Sequence, residues 1–153
     1  MTGARTRTGG TGTVSAASDR SWPRGAAGAA PGKAVFIVDD DEDLRQVMAE
    51  LLRDVGFCVE AAANGRLALD RLGAMSPAPA LILLDLRMPI MDGIAFRAEQ
   101  RRRAELCSIP VVLVSADRDA DEHAQILGVD GFLRKPVTAG ELVRLVLRLC
   151  ASR

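Results

Sequence analysis

A short apolar run that ends abruptly at an acid is the feature that most constrains this fold. Residues 80–84 read Ala-Leu-Ile-Leu-Leu, Asp85 follows at once, and Pro89 and Asp92-Gly93 come soon after. A continuous apolar run bounded by chain breakers is typical of a strand buried on both faces of a parallel sheet. The carboxylate of Asp85 would then emerge where open α/β sheets bind ligands. On this stretch alone, a simple turn residue after a strand remains an alternative.

The rest of the chain alternates similar apolar runs with amphipathic helical patterns. We predict strands at about 34–38, 57–62, 80–84, 110–114 and 131–134, with helices at about 44–55, 64–72, 92–105, 119–127 and 138–150. Such alternation predicts βαβ units and a parallel sheet. The first, third and fourth strands are continuously apolar and should be central, whereas the second and fifth are interrupted and should be edges. With right-handed crossovers, the strand order 2-1-3-4-5 satisfies both demands in a doubly wound α/β domain.

The composition divides the chain into a leader and one folded domain. Residues 1–33 are rich in Gly, Ala, Thr, Ser and Arg without periodicity, which predicts a disordered leader. A start codon assigned too far upstream would give the same pattern. Trp22 is interpreted as a lone exposed aromatic. We expect the folded domain to cover residues 34–150 and a short tail to cover 151–153.

Charge and residue usage exclude several classes of function. The formal net charge is +0, but the leader is basic and the remainder acidic, which does not fit a DNA-binding domain. Cys58, Cys107 and Cys150 are widely separated, so neither a disulfide framework nor a zinc site is supported, and a reducing cytoplasm is predicted. No apolar run is long enough to span a membrane, and no secretory signal is present.

Polar side chains follow four of the five predicted strands. Asp39 and Asp40 come after the first strand, Asp85 after the third, Ser115 after the fourth and Lys135 after the fifth. Because the carboxyl ends of parallel strands share one edge of a sheet, we expect these groups to converge on a single crevice. Each has an ordinary surface explanation taken alone, but their shared position at strand ends favours a site.

The chemistry of this set points to phosphoryl transfer. Three nearby acids need a cation, and ligands that are all oxygens select a hard ion such as Mg²⁺. Asp85 could then act as a nucleophile, while Lys135 and Ser115 contact phosphoryl oxygens. Lys135 is the only lysine after the leader in a chain rich in arginine, which indicates a need for a compact ammonium group.

These motifs resemble the receiver domain of two-component response regulators over about residues 34–150. The matching segments are Val-Asp39-Asp40-Asp-Glu-Asp, Leu-Leu-Asp85-Leu-Arg-Met-Pro-Ile-Met-Asp-Gly93, Val-Ser115-Ala, and Gly128-Val-Asp-Gly-Phe132-Leu-Arg-Lys135-Pro136. Four segments in order at the right spacing are highly specific. The resemblance implies a flavodoxin-like (βα)5 fold.

The resemblance also implies a mechanism. A histidine kinase or phosphotransfer protein would donate a phosphoryl group to Asp85, with Mg²⁺ bound by Asp40, Asp85 and the backbone carbonyl of Arg87, and Asp39 acting through water. Ser115 and Lys135 would contact the phosphoryl group. Ser115 and Phe132 would move together and change the face formed by helix 4, strand 5 and helix 5. The Lys135–Pro136 bond is expected to be cis.

Some positions depart from the commonest pattern of that family. Ser115 stands where Thr is frequent, and Gly131 replaces a polar residue beside the aromatic. Arg87 and Asp117 each lie two residues beyond a site residue, and we hypothesise that they pair across the mouth of the site and hinder water. Two unrelated surface charges are the alternative.

Three other features are interpreted more plainly. His123, the only histidine, is expected to be a solvated side chain on a polar helix, and Arg101–Arg103 a solvated helix face. The last helix is apolar on more than one face. Deep burial explains this pattern, and a partner or homodimer surface is the alternative.

The chain ends at Arg153, soon after the fifth helix, so we expect a single-domain receiver that is not an enzyme and signals by protein contact. One rival is an aspartyl-phosphate phosphatase of the haloacid-dehalogenase type, although Asp85-Leu-Arg lacks the second acid of that motif. The other rival is a docking module that does not depend on phosphorylation.

Overall fold

The computed structural model describes residues 33–151, and strands alternate with helices throughout this range. The predicted leader, apart from Lys33, lies outside the described residues, as do Trp22 and residues 152–153. The strands are β1 (Ala34–Val38), β2 (Cys58–Ala62), β3 (Leu81–Leu84), β4 (Val111–Ser115) and β5 (Gly131–Arg134). The helices are α1 (Glu42–Asp54), α2 (Gly65–Ala74), α3 (Gly93–Arg102), α4 (Ala120–Leu127) and α5 (Ala139–Ala151).

The sheet has the predicted order, β2-β1-β3-β4-β5, and every pairing is parallel. The three central strands are buried on both faces, which is why they are continuously apolar. Alternate side chains of β1 enter two different cores: Phe36 packs with α2, α3 and α4, while Ile37 packs with α1 and α5. Helix α5 buries Leu142, Leu145 and Val146, so burial explains that part of its apolar surface.

Side chains at the helix starts fix where the chain turns away from the sheet. Asp41, Asn64 and Asp92 each accept a hydrogen bond from the backbone N–H three residues later, at 3.1, 3.0 and 2.8 Å. A capping box precedes α5, since Thr138 Oγ1 accepts from Glu141 N at 3.3 Å and Thr138 N donates to Glu141 Oε2 at 3.1 Å.

Helix α3 is shorter than predicted, because it ends at Arg102 and not near residue 105. The backbone of Arg103 is extended (φ −97°, ψ 118°), and turns occupy residues 104–108. The side chain of Gln100 explains this end, since its Nε2 donates to the carbonyls of Leu106 and Ile109 at 3.0 Å each. These bonds give donors to carbonyls of the loop that follows α3 and hold that loop against the helix.

The loop between β3 and α3 is held tightly against the end of β3. A Cβ added to Gly93 would lie 2.3 Å from the carbonyl oxygen of Asp85, so only glycine fits at the start of α3. Ile90 has a φ of 70° and Met91 N donates to Pro89 O at 2.7 Å, which closes a tight turn. The backbone after Asp85 is therefore fixed by close packing.

Candidate functional site

Three carboxylates meet at the carboxyl ends of β1 and β3, as the strand ends predict. One oxygen from each of Asp39, Asp40 and Asp85 lies within 4.8 Å of the other two. Asp39 and Asp85 are only 1% and 6% exposed, whereas Asp40 is open to solvent. Acids this close raise one another's energy unless positive charge balances them.

Lys135 supplies part of that balance from the end of β5. Its Nζ lies 2.9 Å from Asp39 Oδ2 and 3.4 Å from Asp85 Oδ1. A backbone hydrogen bond from Lys135 N to Ser115 O, at 3.0 Å, ties this position to the end of β4. One ammonium against three carboxylates leaves an excess of two negative charges, which matches a divalent cation.

The hydrogen bonding of Asp39 tests whether a cation fits. Its Oδ1 accepts from Asp41 N at 2.9 Å. Its buried Oδ2 is contacted by the Lys135 ammonium at 2.9 Å. The neighbouring carboxylates of Asp40 and Asp85 bring two more negative charges within reach, and carboxylate oxygens are the ligands that Mg²⁺ prefers. The residues therefore fit such an ion.

Burial and charge shift the pKa values of this cluster in opposite directions. Burial, and then the Asp39 carboxylate, raises the pKa of Asp85 to about 6, although Lys135 lowers it in part. Burial alone would lower the pKa of Lys135, but its contacts with Asp39 and Asp85 outweigh burial and raise it. Lys135 is therefore charged at neutral pH, and Asp85 is mostly ionised there.

Ser115 and Phe132 occupy neighbouring strands beside the cluster. Ser115 is 1% exposed, and its Oγ accepts a hydrogen bond from Asp117 N at 3.1 Å. Phe132 is half-buried and packs against the core beneath α3 and α4. The Lys135–Pro136 peptide bond is cis, as predicted. The hydrogen bond from Asp117 N therefore links the Ser115 hydroxyl to the loop that leads into α4.

Arg87 and Asp117 pair at the mouth of the site, which confirms the predicted contact. Arg87 Nε lies 2.6 Å from Asp117 Oδ2, with the Arg87 side chain 81% exposed and that of Asp117 23% exposed. Both residues line a crevice of about 440 Å³ together with Asp40, Asp92 and His123. An exposed pair of this kind contributes little to stability, ~0–1 kcal/mol.

His123 remains accessible to solvent, as predicted, but it also lines the crevice beside the site. The residue is half-buried in the wall of the crevice, and its Nδ1 lies 2.8 Å from Asp119 O. The first turn of α4 faces the loop after β3, and this packing could not be inferred from the polar pattern of the helix.

Two buried polar residues of α3 were missed by sequence reasoning. Arg97 is 6% exposed and Gln100 is fully buried, and Arg97 Nη1 donates to Gln100 Oε1 at 2.7 Å. Polar residues spaced three apart on an otherwise apolar helix face were the available signal.

Comparison with known proteins identifies this architecture. The family model described as "Response regulator receiver domain" matches residues 35–147. The chain belongs to the response regulator receiver family. Receiver domains are signalling domains that accept a phosphoryl group, so the chain has the role of a phosphoacceptor receiver.

Three relatives show how far the likeness extends. SphR of Synechococcus elongatus, an alkaline phosphatase synthesis transcriptional regulatory protein, is 32% identical over 124 residues, which cover 75% of this chain and 48% of that protein. An uncharacterized 14.6 kDa protein of Leptolyngbya boryana is 34% identical over 120 residues, covering 77% of this chain and 90% of that one. The structure of the Vibrio cholerae chemotaxis protein CheY4 has a TM-score of 0.70 and 29% identity, covering 78% of this chain and 99% of that one.

The chain therefore spans about half of one curated relative and nearly all of another. Within residues 33–151, no helix is long and apolar enough to cross a membrane.

The raised pKa of Asp85 predicts a stability change in the metal-free protein. A carboxyl whose folded-state pKa lies above its unfolded value destabilises the fold once pH rises through that range, here from about 4 to 6. Asp85→Asn should therefore increase the free energy of unfolding at pH 7.5 by about 1 to 3 kcal/mol, and by much less at pH 4.5. Urea denaturation in EDTA at both pH values measures this difference. An equal effect at the two pH values would contradict the assignment.

Proposed function

We propose that Asp85 is the phosphoacceptor and that its donor is the phosphohistidine of a histidine kinase or phosphotransfer protein. The observation that carries the proposal is the buried contact of Lys135 with both Asp39 and Asp85 at the end of β3. In the transfer, the P–N bond of the donor breaks as a P–O bond forms at an Asp85 carboxylate oxygen. The imidazole that leaves takes up a proton.

Each residue of the cluster has a proposed part in that transfer. Ionised Asp85 attacks the phosphorus, Lys135 neutralises phosphoryl oxygens, and the Ser115 hydroxyl donates a hydrogen bond to one of them. Mg²⁺ would be held by Asp40, Asp85 and the Arg87 carbonyl, with Asp39 acting through water. When bound, this ion supplies the positive charge that balances the carboxylates and the incoming phosphoryl group.

We infer that the product acts by protein contact and that the chain is not a turnover enzyme. Phosphorylation of Asp85 would move Ser115 and Phe132, and this movement would alter the surface formed by α4, β5 and α5. Ile126 of α4 is 76% exposed, so this face offers an apolar contact to a downstream partner or a second copy. The three free cysteines fit the cytoplasm that we propose as its location.

A small-molecule phosphodonor tests the acceptor directly. Acetyl phosphate with Mg²⁺ should add about 80 Da to the wild-type chain, the mass of one phosphoryl group. Asp85→Asn should gain none because its amide is not nucleophilic, and EDTA should abolish the adduct in the wild type. Intact mass spectrometry measures all three results.

The controls separate this proposal from its rivals. Asp54→Asn, at an exposed acid at the end of α1, should leave the adduct unchanged. Continuous hydrolysis of a generic phosphomonoester would favour the phosphatase alternative. A wild-type chain that remains unmodified would instead support a docking module independent of phosphorylation.

The Arg87–Asp117 pair should lengthen the life of the acyl phosphate by hindering water at the crevice. Arg87→Ala should speed loss of the phosphoryl group about twofold to fivefold, as expected from an exposed pair worth ~0–1 kcal/mol. The decay of the mass adduct after removal of the donor gives the rate.

Arg102→Ala is a matched control for that experiment, because Arg102 is also exposed and, among residues 33–151, its ion pair is with Glu99 on α3, at 3.4 Å. Equal decay in the wild type and Arg87→Ala would show that the pair does not protect the site.

A further inference from the structure

The side chain of Arg45 folds back over the start of its own helix, α1. Arg45 lies in the first turn, and long side chains on a helix point toward its N-terminal end. Its Nη1 donates to Asp39 O at 2.7 Å, and its backbone N–H donates to Asp41 O at 2.9 Å. The residue is half-buried, so water competes less for this contact than at an exposed pair. The guanidinium therefore joins α1 to the segment that carries two acids of the cluster.

The helix itself gains little from an arginine at this position. The N-terminal end of a helix carries partial positive charge, so a cation beside it is unfavourable. Residues 39–43 are all acidic, yet within residues 33–151 Arg45 forms no ion pair. Its guanidinium binds a backbone carbonyl instead. The contact therefore holds a peptide group and not a carboxylate.

The bound peptide group is the one that joins Asp39 to Asp40. Because a peptide bond is planar, holding its carbonyl oxygen also sets the direction in which the backbone enters Asp40. Asp40 is open to solvent, so packing does little to place its carboxylate. One of its carboxylate oxygens nevertheless lies within 4.8 Å of oxygens of both Asp39 and Asp85. The contact with Arg45 is thus suited to keep Asp40 in the cluster.

The other two acids of the cluster are held by the sheet. Asp39 N donates to Ala62 O at 3.2 Å, and Asp85 N donates to Val38 O at 2.9 Å, so both residues continue the strand pairing. Both are also buried. Asp40 lies one residue further along the chain and is exposed, which makes it the acid that depends most on Arg45.

We propose that Arg45 is a positioning residue for the divalent cation, because it fixes the peptide between Asp39 and Asp40 and so presents the Asp40 carboxylate to the ion. The proposal rests on the magnesium site of the proposed function. Arg45 acts through geometry and against its own charge, since one cation near the cluster repels another. Geometry and charge therefore predict opposite effects when the guanidinium is removed.

Titration of the metal-free chain with Mg²⁺, followed by amide chemical shifts, separates these two effects. Arg45→Gln should weaken Mg²⁺ binding about threefold to tenfold, which is less than the ~10–100-fold typical of partners that orient metal ligands, because Asp40 is exposed. A residue that acted only by its charge would give tighter binding in this variant. Arg45→Lys keeps the charge without the planar fork, so its affinity should fall between those of the wild type and Arg45→Gln.

Arg53→Gln is the matched control on the same helix. Arg53 lies in the last turn of α1 and also donates to a backbone carbonyl, Val59 O, at 3.3 Å. The two arginines are eight positions apart, which is about 12 Å along the helix axis. Arg53→Gln should leave the Mg²⁺ affinity within about twofold of wild type, because salt screens a charge at this distance.

A double variant tests whether Arg45 acts through Asp40. An Asp40→Asn chain has no carboxylate at this position to present, so adding Arg45→Gln should change the Mg²⁺ affinity by less than about twofold. An equal loss of affinity in both backgrounds would show a general structural role and overturn the proposal.

The positioning role is also overturned if Arg45→Gln binds Mg²⁺ as tightly as the wild type or more tightly, or if the wild type binds none. If Arg45→Gln does not fold, Arg45→Lys decides alone: weaker binding supports the role, and binding equal to wild type overturns it. These titrations use no phosphodonor. A failed reaction with acetyl phosphate would therefore refute Asp85 as the acceptor, whereas the Mg²⁺ affinities would still decide the role of Arg45.

Discussion

The structure depends on an unequal balance of charge at one edge of the sheet. Three carboxylates and one ammonium converge there, with oxygens of the acids within 4.8 Å of one another and Lys135 in contact with two of them. In water these acids would move apart, but the parallel pairing of β1 with β3 holds together the residues that directly follow the two strands. The fold therefore stores a local excess of negative charge, and a divalent cation with an incoming phosphoryl group is the chemistry that uses it.

The surroundings of the cluster differ between its α3 side and its α4 side. Because Gly93 has no side chain, the start of α3 packs directly against the backbone of Asp85, which leaves no space for the end of β3 to shift toward the helix. On the other side, the Ser115 hydroxyl is hydrogen-bonded to the loop that leads into α4. The first turn of that helix combines the fully buried Ala120 with an exposed ion pair between Arg134 and Asp121. The acceptor strand is therefore fixed by close backbone packing on the α3 side, whereas on the α4 side the cluster is joined to the neighbouring loop by hydrogen bonds.

Most of the site could be predicted because its residues follow directly from strand ends. The end of an apolar run locates Asp39, Asp85, Ser115 and Lys135 without knowledge of any tertiary contact, and the strand order then brings them together. Arg97 and Gln100 could not be predicted, because their partners are backbone carbonyls, some of them about thirty residues away in sequence. A helical pattern shows that such residues are polar but not which oxygen they reach. The same limit explains His123, whose partial burial depends on how α4 packs against the loop after β3.

Titration with Mg²⁺, followed by amide chemical shifts, tests the central claim most directly. If the cluster holds a divalent cation through its unbalanced carboxylates, millimolar Mg²⁺ should shift amides at residues 39–41, 85–87 and 115–117 and near Lys135. Asp40→Asn should weaken the response, since it removes one of the two excess charges. Shifts scattered over the surface, or an unchanged response in Asp40→Asn, would contradict the account.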